Sequence, residues 1–219
     1  MAGQTATATD TDPDDISEYQ IDALREYLSI GVGKAASTLN IMLGLHVDLD
    51  VPRISVLKFG DPELESELGG EKFAAVSLRF DGNIKGTASV IFDQRSASEI
   101  FKILMPGSPT NTAEMDEICE STLVEVGNII INSVMGSISN SFNFYLEYEV
   151  PRYSDSSVAQ IRALNDEKEN TGIDALVIHF GIAFRMGADS NIQGKIVLFC
   201  VLDDLKQVLD QWKEPGYAN

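Results

Sequence analysis

Hydrophobic and polar positions recur with two different periods along the chain, and these periods predict helices and strands in turn. Between residues 16 and 43, apolar side chains recur three or four positions apart or at sums of these, which predicts a long helix. A second long helix is predicted over 112–139. Amphipathic stretches at 94–105 and 203–213 predict two short helices.

Between the helices, apolar and strand-forming residues predict six strands. Each long helix is followed by one predicted strand that contains a proline: Pro52 lies in Val47–Leu57, and Pro151 lies in Phe142–Tyr153. Each of these strands precedes a predicted hairpin. The hairpins pair residues 73–80 with 86–92 and residues 173–185 with 194–201.

The same order of elements therefore occurs twice, in repeats 16–106 and 112–213 of a single domain that spans 16–213. Most strand connections are hairpins, so the sheet is expected to be largely antiparallel, with helices packed against it. The predicted fold class is α+β, a sandwich-like arrangement of helices and sheet with pseudo-two-fold symmetry. It has a six-stranded sheet, two long helices and two short ones.

A short polar motif also occurs twice, at a distance of 99 residues. An Asp or Ser precedes a Glu by four positions, a short polar residue follows the Glu by three, and a Pro comes after 22 intervening residues. The first copy consists of Asp22, Glu26, Ser29 and Pro52, and the second of Ser121, Glu125, Asn128 and Pro151. The copies differ in chemistry at one place, where Asn128 corresponds to Ser29.

The repeat continues in the hairpins at a larger offset. Asn83-Ile-Lys-Gly86 matches Asn191-Ile-Gln-Gly194 at an offset of 108 residues, so nine residues have been added between the motif and the second hairpin. The polar, charged segment 156–171 is the expected place for them, either as a surface insertion or as a contact for a partner.

Charge excludes several classes of partner. The 219 residues carry a formal net charge of −18, which argues against binding to nucleic acid or to anionic membrane surfaces. The acidity fits either simple solubility, including life in a salty cytoplasm, or an acidic face that steers a basic partner. Residues 1–15 have neither a basic start nor an apolar stretch, so they predict a disordered acidic tail and a cytoplasmic protein.

The cysteines and histidines predict neither a disulfide framework nor a metal site. Cys119 and Cys200 are far apart in the chain and have apolar neighbours, and no Cys-x2-Cys or Cys/His ligand spacing occurs. His46 and His179 lie in strand-like segments, where packed or surface positions are expected. The sequence therefore gives no support to a hydrolase that uses a metal ion of its own.

The second copy of the motif places a carboxylate and an amide together. Glu125, Asn128 and Asn132 lie at positions i, i+3 and i+7, which share one face of a helix. A carboxylate beside an amide cannot form the usual catalytic pair of a nucleophile and a general base. A carboxamide can accept a hydrogen bond from water and donate one to a phosphoryl oxygen, which orients the water for in-line attack on phosphorus. The glutamate suits docking to a lysine. The alternative is a solvated polar stripe in which Asn132 is hydrogen bonded internally.

The pattern [Asp/Ser]-x3-Glu-x2-Asn-x22-Pro resembles that of the CheC/CheX/FliY family of CheY-P phosphatases, and the length and duplication are most similar to CheC. The resemblance implies a CheC-like domain that hydrolyses the aspartyl phosphate of a CheY-like response regulator in chemotaxis. It implies that Glu125 contacts a regulator lysine and that Asn128 orients the attacking water. Ser121, Pro151 and their counterparts in the first copy would support the motif.

The resemblance also implies cofactors and partners. The chain needs no cofactor or metal of its own, because the magnesium ion belongs to the regulator. The implied partner is the phosphorylated regulator, and CheD is a further one. No nucleic-acid binding and no membrane insertion are expected.

The first copy departs from the family pattern, because Ser29 replaces the asparagine. A serine reaches less far and carries no amide, so Glu26 and Ser29 are expected to form a degenerate second site that is weak or silent. The alternative function is a non-enzymatic CheC-like interaction module that binds a response regulator, CheD or components of the flagellar switch. The intact pair Glu125 and Asn128 favours the enzyme, since a scaffold has no need of it.

Overall fold

A computed structural model gives the fold. It describes residues 17–44, 46–50, 54–58, 72–104, 113–157, 160, 175–185 and 191–210. Within these ranges the helices are α1 (Glu18–Leu43), α2 (Gln94–Leu104), α3 (Ala113–Ser141) and α4 (Leu202–Asp210). The strands are β1 (Leu49–Asp50), β2 (Ile54–Lys58), β3 (Phe73–Gly82), β4 (Gly86–Phe92), β5 (Leu146–Tyr148), β6 (Arg152–Ser156), β7 (Ala175–Arg185) and β8 (Asn191–Val201).

The four predicted helices are confirmed, with ends that differ by at most three residues. Helix α1 begins at a capping box: the Ser17 hydroxyl accepts a hydrogen bond from the backbone N–H of Gln20, whose side chain accepts one from the backbone N–H of Ser17. It ends at Gly44, whose φ of 62° lies in the left-handed region that glycine adopts readily. The predicted end of the helix at residue 43 is confirmed, and the helix begins two residues later than predicted.

Each of the two predicted strands that contain a proline corresponds to two strands of the structure, so the described residues form eight strands where six were predicted. The predicted strand 142–153 becomes β5 and β6, and Pro151, which lacks a backbone N–H, stands directly before β6. The predicted strand 47–57 becomes β1 and β2. Pro52, the acidic tail 1–15 and the break between the repeats lie outside the described residues.

All strand pairs are antiparallel, and the order across the sheet is β1–β7–β8–β4–β3–β5. Strand β2 also pairs with β7, and β6 also pairs with β3. The outer strands of each repeat therefore pair with the hairpin of the other repeat. At the centre, Ser89 of β4 lies opposite Val197 of β8, and these two residues are 108 positions apart. A pseudo-two-fold axis passes through this pair.

Helices α1 and α3 pack against each other and share a core with the sheet. They touch closely at Gly31, where a Cβ atom would lie 2.7 Å from the Cα atom of Val134. Strands β3, β4 and β8 contribute alternate residues to this core, as the pleat requires. Its largest fully buried members are Leu24, Leu28, Leu39, Phe92, Ile100, Leu123 and Ile130.

Helix α3 is long and apolar enough over Glu117–Ser141 to pass for a membrane span by length and composition. In the structure seven apolar residues of this stretch belong to the core instead. A buried helix meets the same criterion, so this helix does not argue for a membrane protein. The core residues of this stretch are Leu123, Val126, Ile130, Ile131, Val134, Met135 and Ile138.

Candidate functional site on helix α3

Helix α3 presents the second copy of the motif at the surface. Glu125 and Asn132 are exposed, and Asn128 between them is half-buried. The intervening positions Val126 and Ile130 are buried in the core. The helix therefore has one polar edge and one apolar face, and the predicted placement of the three side chains on one face is confirmed.

The turn that carries this polar edge is anchored against the sheet. At Gly127, a Cβ atom would lie only 2.6 Å from the Cβ atom of Val76 in β3. Glycine is therefore needed for the helix to approach the strand this closely at the turn between Glu125 and Asn128. The corresponding residue of α1 is Leu28, whose side chain is fully buried. At equivalent turns, α3 therefore places a glycine against the sheet, whereas α1 buries a large side chain.

One hydrogen bond organises the polar edge. The side-chain amide of Asn132 donates from Nδ2 to Oδ1 of Asn128 over 2.7 Å. One lone pair of Oδ1 and both N–H groups of the Asn128 carboxamide remain open to a ligand within the part of the chain that the structure describes. Glu125 makes no hydrogen bond or ion pair with any described residue, so its carboxylate is available to a cationic partner.

The remaining motif residues of this copy have structural surroundings. The Ser121 hydroxyl donates to the backbone carbonyl of Glu117 over 2.8 Å, which is a common arrangement for serine within a helix. Pro151 is half-buried at the junction of β5 and β6. The supporting roles that the resemblance implies for these two residues stay predictions.

Beside Glu125, a groove runs between α3 and the C-terminal ends of α1 and α2. Its lining combines apolar residues with polar ones, among them Glu125. Met42 and Ile118 are 42% and 40% exposed there. The groove is lined by Met42, Leu43, Ile103, Leu104, Glu117, Ile118, Ser121, Thr122, Glu125 and Val126.

The first copy of the motif forms a shallower depression on α1, lined by Asp22, Arg25, Glu26, Ser29 and Ile30. Arg25 donates to the carboxylate of Asp22 in an exposed ion pair. The Ser29 hydroxyl donates to the backbone carbonyl of Arg25 over 2.7 Å, so its proton is already used within the helix. Glu26 is exposed.

Burial raises the pKa of Tyr153, a tyrosine of β6. Tyr153 of β6 donates to Asp155 over 2.9 Å, and both its burial and this hydrogen bond raise the pKa of its phenol. Negative charge on Glu120 of α3 acts in the same direction. The phenol is therefore neutral at ordinary pH, and the Tyr153 side chain packs against the hydrophobic core.

The helical spacing predicted the polar residues of the site, and the alternative interpretation predicted an internal hydrogen bond of Asn132, which the structure shows; its partner Asn128 was not predicted. The i+4 spacing of Asn128 and Asn132 was visible, whereas the direction of their hydrogen bond was not. The ion pair of Arg25 with Asp22 had the i+3 spacing that is typical of such pairs. The groove had no sequence signal, because three helices that are distant along the chain form it. Among the described residues, no group of three His, Cys, Asp or Glu side chains is arranged to hold a metal ion.

Comparison with known proteins agrees with this architecture. No protein-family model matches the chain. The CheY-P phosphatase CheC of Bacillus subtilis (strain 168) is 31% identical over 173 residues, which cover 76% of this chain and 81% of that protein. The crystal structure of Thermotoga maritima FliY is 21% identical, covers 90% of this chain and 96% of that one, and has a TM-score of 0.68.

A third similar protein is found in the crystal structure of the CheX–CheY–BeF3–Mg2+ complex from Borrelia burgdorferi. It is 18% identical, covers 80% of this chain and 97% of that one, and has a TM-score of 0.51. The fold is thus that of a duplicated α+β protein with one helix of each repeat carrying the motif. Its similarity to CheC shows that the chain belongs to the CheC/CheX/FliY family, as the repeated motif predicted.

Proposed function

We propose that this protein is a chemotaxis phosphatase that hydrolyses the aspartyl phosphate of a CheY-like response regulator, and that the second repeat holds the competent site. The observation that carries the proposal is the pair Glu125 and Asn128 on the exposed edge of α3. Membership in a family whose relative is named a CheY-P phosphatase supports it.

In the proposed reaction, Asn128 holds a water molecule in line with the phosphorus–oxygen bond. The water oxygen forms a bond to phosphorus as the bond to the aspartyl oxygen breaks. Inorganic phosphate leaves, the regulator recovers its aspartate carboxylate, and the proton of the water passes to the phosphate. Positioning of this kind is the main contribution that a protein makes to phosphoryl transfer.

Glu125 acts as a docking group in this proposal. Its carboxylate pairs with a lysine on the regulator and fixes the register in which Asn128 enters the phosphorylated site. The groove beside Glu125 offers apolar contacts for the same partner. The chain contributes no cofactor, and the regulator supplies the Mg2+ that stabilises charge on the phosphoryl group. A cytoplasmic location follows from this partner.

The first repeat holds a weak or silent site in this proposal. The Ser29 hydroxyl is bound to the helix backbone, and it has no amide with which to bridge water and a phosphoryl oxygen. Glu26 remains exposed and able to dock a regulator. This helix therefore retains the docking group without the water-orienting group.

The test is phosphate release from a phosphorylated CheY-type regulator, with wild type compared with Asn128→Ala, Glu125→Gln and Ser29→Ala. We expect Asn128→Ala to return the rate to that of the regulator alone. Glu125→Gln should raise KM several-fold, because it removes a docking charge and keeps the side-chain shape. Ser29→Ala should match wild type.

If the wild-type protein binds the regulator but does not accelerate phosphate release, the proposed phosphatase activity is wrong. The alternative, a non-enzymatic interaction module, then stands. Loss of activity in Ser29→Ala would instead show that the first site is competent. Circular dichroism of each variant separates these results from loss of the fold.

A further inference from the structure

From the hydrogen bond between Asn132 and Asn128 and its absence from the first repeat, we infer that Asn132 is a positioning residue that fixes the carboxamide of Asn128 in its working orientation. The inference rests on the proposed function and deepens it. It makes the functional unit of the site a pair of asparagines one helical turn apart.

A carboxamide can present either its oxygen or its nitrogen to a ligand, because rotation by half a turn exchanges them. Asn128 is half-buried on a helix edge, and its backbone does not decide between the two orientations. The Nδ2 group of Asn132 is a donor only, and it lies 2.7 Å from Oδ1 of Asn128. With Asn132 as the donor, Asn128 is held in the orientation that leaves its Nδ2 on the side away from Asn132.

That orientation suits the proposed chemistry. The two N–H groups of Asn128 can donate to a phosphoryl oxygen, and the second lone pair of Oδ1 can accept a proton of the attacking water. A side chain held in one rotamer before the substrate arrives loses less entropy on binding the transition state. Asn132 itself is exposed and needs no contact with the substrate.

The first repeat supplies an internal comparison. The residue that corresponds to Asn132, 99 positions earlier, is Gly33, which has no side chain. Ser29, which corresponds to Asn128, donates to its own helix backbone over 2.7 Å. The chain therefore carries both asparagines in one repeat and neither in the other. A Cβ atom at Gly33 would meet nothing within 4 Å, so an asparagine can be introduced there without a clash.

The first test compares Asn132→Ala and Asn132→Gln with wild type in steady-state dephosphorylation of the regulator. We expect Asn132→Ala to lower kcat roughly three- to tenfold, which corresponds to the loss of one typical hydrogen bond. KM and the thermal midpoint should stay unchanged, and Asn132→Gln, which keeps an amide donor, should restore part of kcat. Asn140→Ala, at another exposed position of α3, is the matched control and should behave like wild type.

The outcomes separate this inference from the proposed function. A wild-type level of kcat in Asn132→Ala, or an effect on KM alone, overturns the positioning role even when Asn128→Ala is inactive. Full activity of Asn128→Ala overturns the proposed function instead. Equal loss in Asn132→Gln and Asn132→Ala also contradicts an amide that acts as a donor.

The second test rebuilds the pair on α1 in a protein whose second site is silenced by Asn128→Ala. We expect Ser29→Asn together with Gly33→Asn to release phosphate faster than Ser29→Asn alone. A double substitution that gives no more activity than Ser29→Asn overturns the inference, because the first site would then gain nothing from the supporting residue.

Discussion

At the scale of single residues, Cys200 places an ionisable thiol in the core of the protein. It lies in β8 opposite Gly86 of β4, and its side chain is buried. Burial, together with the negative charge of Asp204, raises the pKa of its thiol to about 12 from an ordinary value of 9.0. The thiol therefore stays protonated in the folded protein well above the pH at which it ionises in the unfolded chain.

Alkaline pH should destabilise the protein through this residue. The folded-state pKa of Cys200 is the higher one, so its contribution is intact below about pH 9 and is lost as the pH rises toward 12. Between these values we expect the free energy of unfolding of wild type to fall by up to about 4 kcal/mol more than that of Cys200→Ala. Urea unfolding at a series of pH values measures this difference. Cys119→Ala is the control, and a slope identical to wild type in Cys200→Ala would contradict the prediction.

The residues of the site show how far sequence reasoning reaches at this scale. Helical spacing placed Glu125, Asn128 and Asn132 on one face, because the geometry of a helix fixes which positions are neighbours. It did not decide which amide donates to which, since that depends on side-chain rotamers. It likewise gave no sign that the Ser29 hydroxyl would bond to the backbone of α1.

At the scale of elements, two glycines of α1 have opposite surroundings. A Cβ atom at Gly31 would lie 2.7 Å from the Cα atom of Val134 and 3.0 Å from the carbonyl oxygen of Ser133, whereas Gly33 has open space. Two glycines within a helix indicate that another group comes close to it. The structure shows that this holds for Gly31 alone, where the backbone of α3 is the neighbour.

Alanine substitutions should therefore separate the two positions. Gly31→Ala must push α1 away from a backbone that cannot yield locally, and we expect a loss of about 1–3 kcal/mol in the free energy of unfolding. Gly33→Ala should gain about 0.5–1 kcal/mol, because alanine is the better helix former. Chemical denaturation of the two variants tests this. Similar effects of both substitutions would show that the helix contact does not set the difference.

The elements themselves were largely predictable. The long helices show a sustained apolar period, so their ends were placed within a few residues. The strands with prolines were predicted as single elements, because alternation continues past a residue that cannot donate to a ladder. Only the sheet shows that each of these strands is divided.

At the scale of the whole molecule, the protein carries a net charge of −18, so its acidic side chains repel one another in the folded state. The ion pairs among the described residues are mostly exposed, and such pairs offset little of this repulsion. We expect the thermal midpoint to rise as NaCl is increased from 0.05 to about 0.5 M, where screening becomes nearly complete.

Differential scanning calorimetry over this salt series measures the effect. A series in sucrose at matched osmolality controls for general exclusion of solute from the protein surface. A midpoint that stays constant in NaCl would mean that the acidic groups are too widely spaced for mutual repulsion to matter.

The arrangement of the two repeats was beyond the reach of the sequence. Duplication predicted a pseudo-two-fold axis, but the strand order depends on which edges meet in space. Strands β1 and β2 of the first repeat complete the sheet beside β7, and β5 and β6 of the second repeat complete it beside β3.

Because each repeat lends its outer strands to the hairpin of the other, neither repeat can be lost without disrupting the sheet. A chain that discarded its first repeat would expose the edge of β7 and also lose the hairpin on which β5 and β6 are laid. Helix α1 is therefore retained as scaffold, whatever becomes of the chemistry at Ser29. With the first site silent, as proposed above, and α1 held in place by the fold, the outer surface of α1 can accept substitutions and so provides a position where a new specificity can arise without loss of the site on α3.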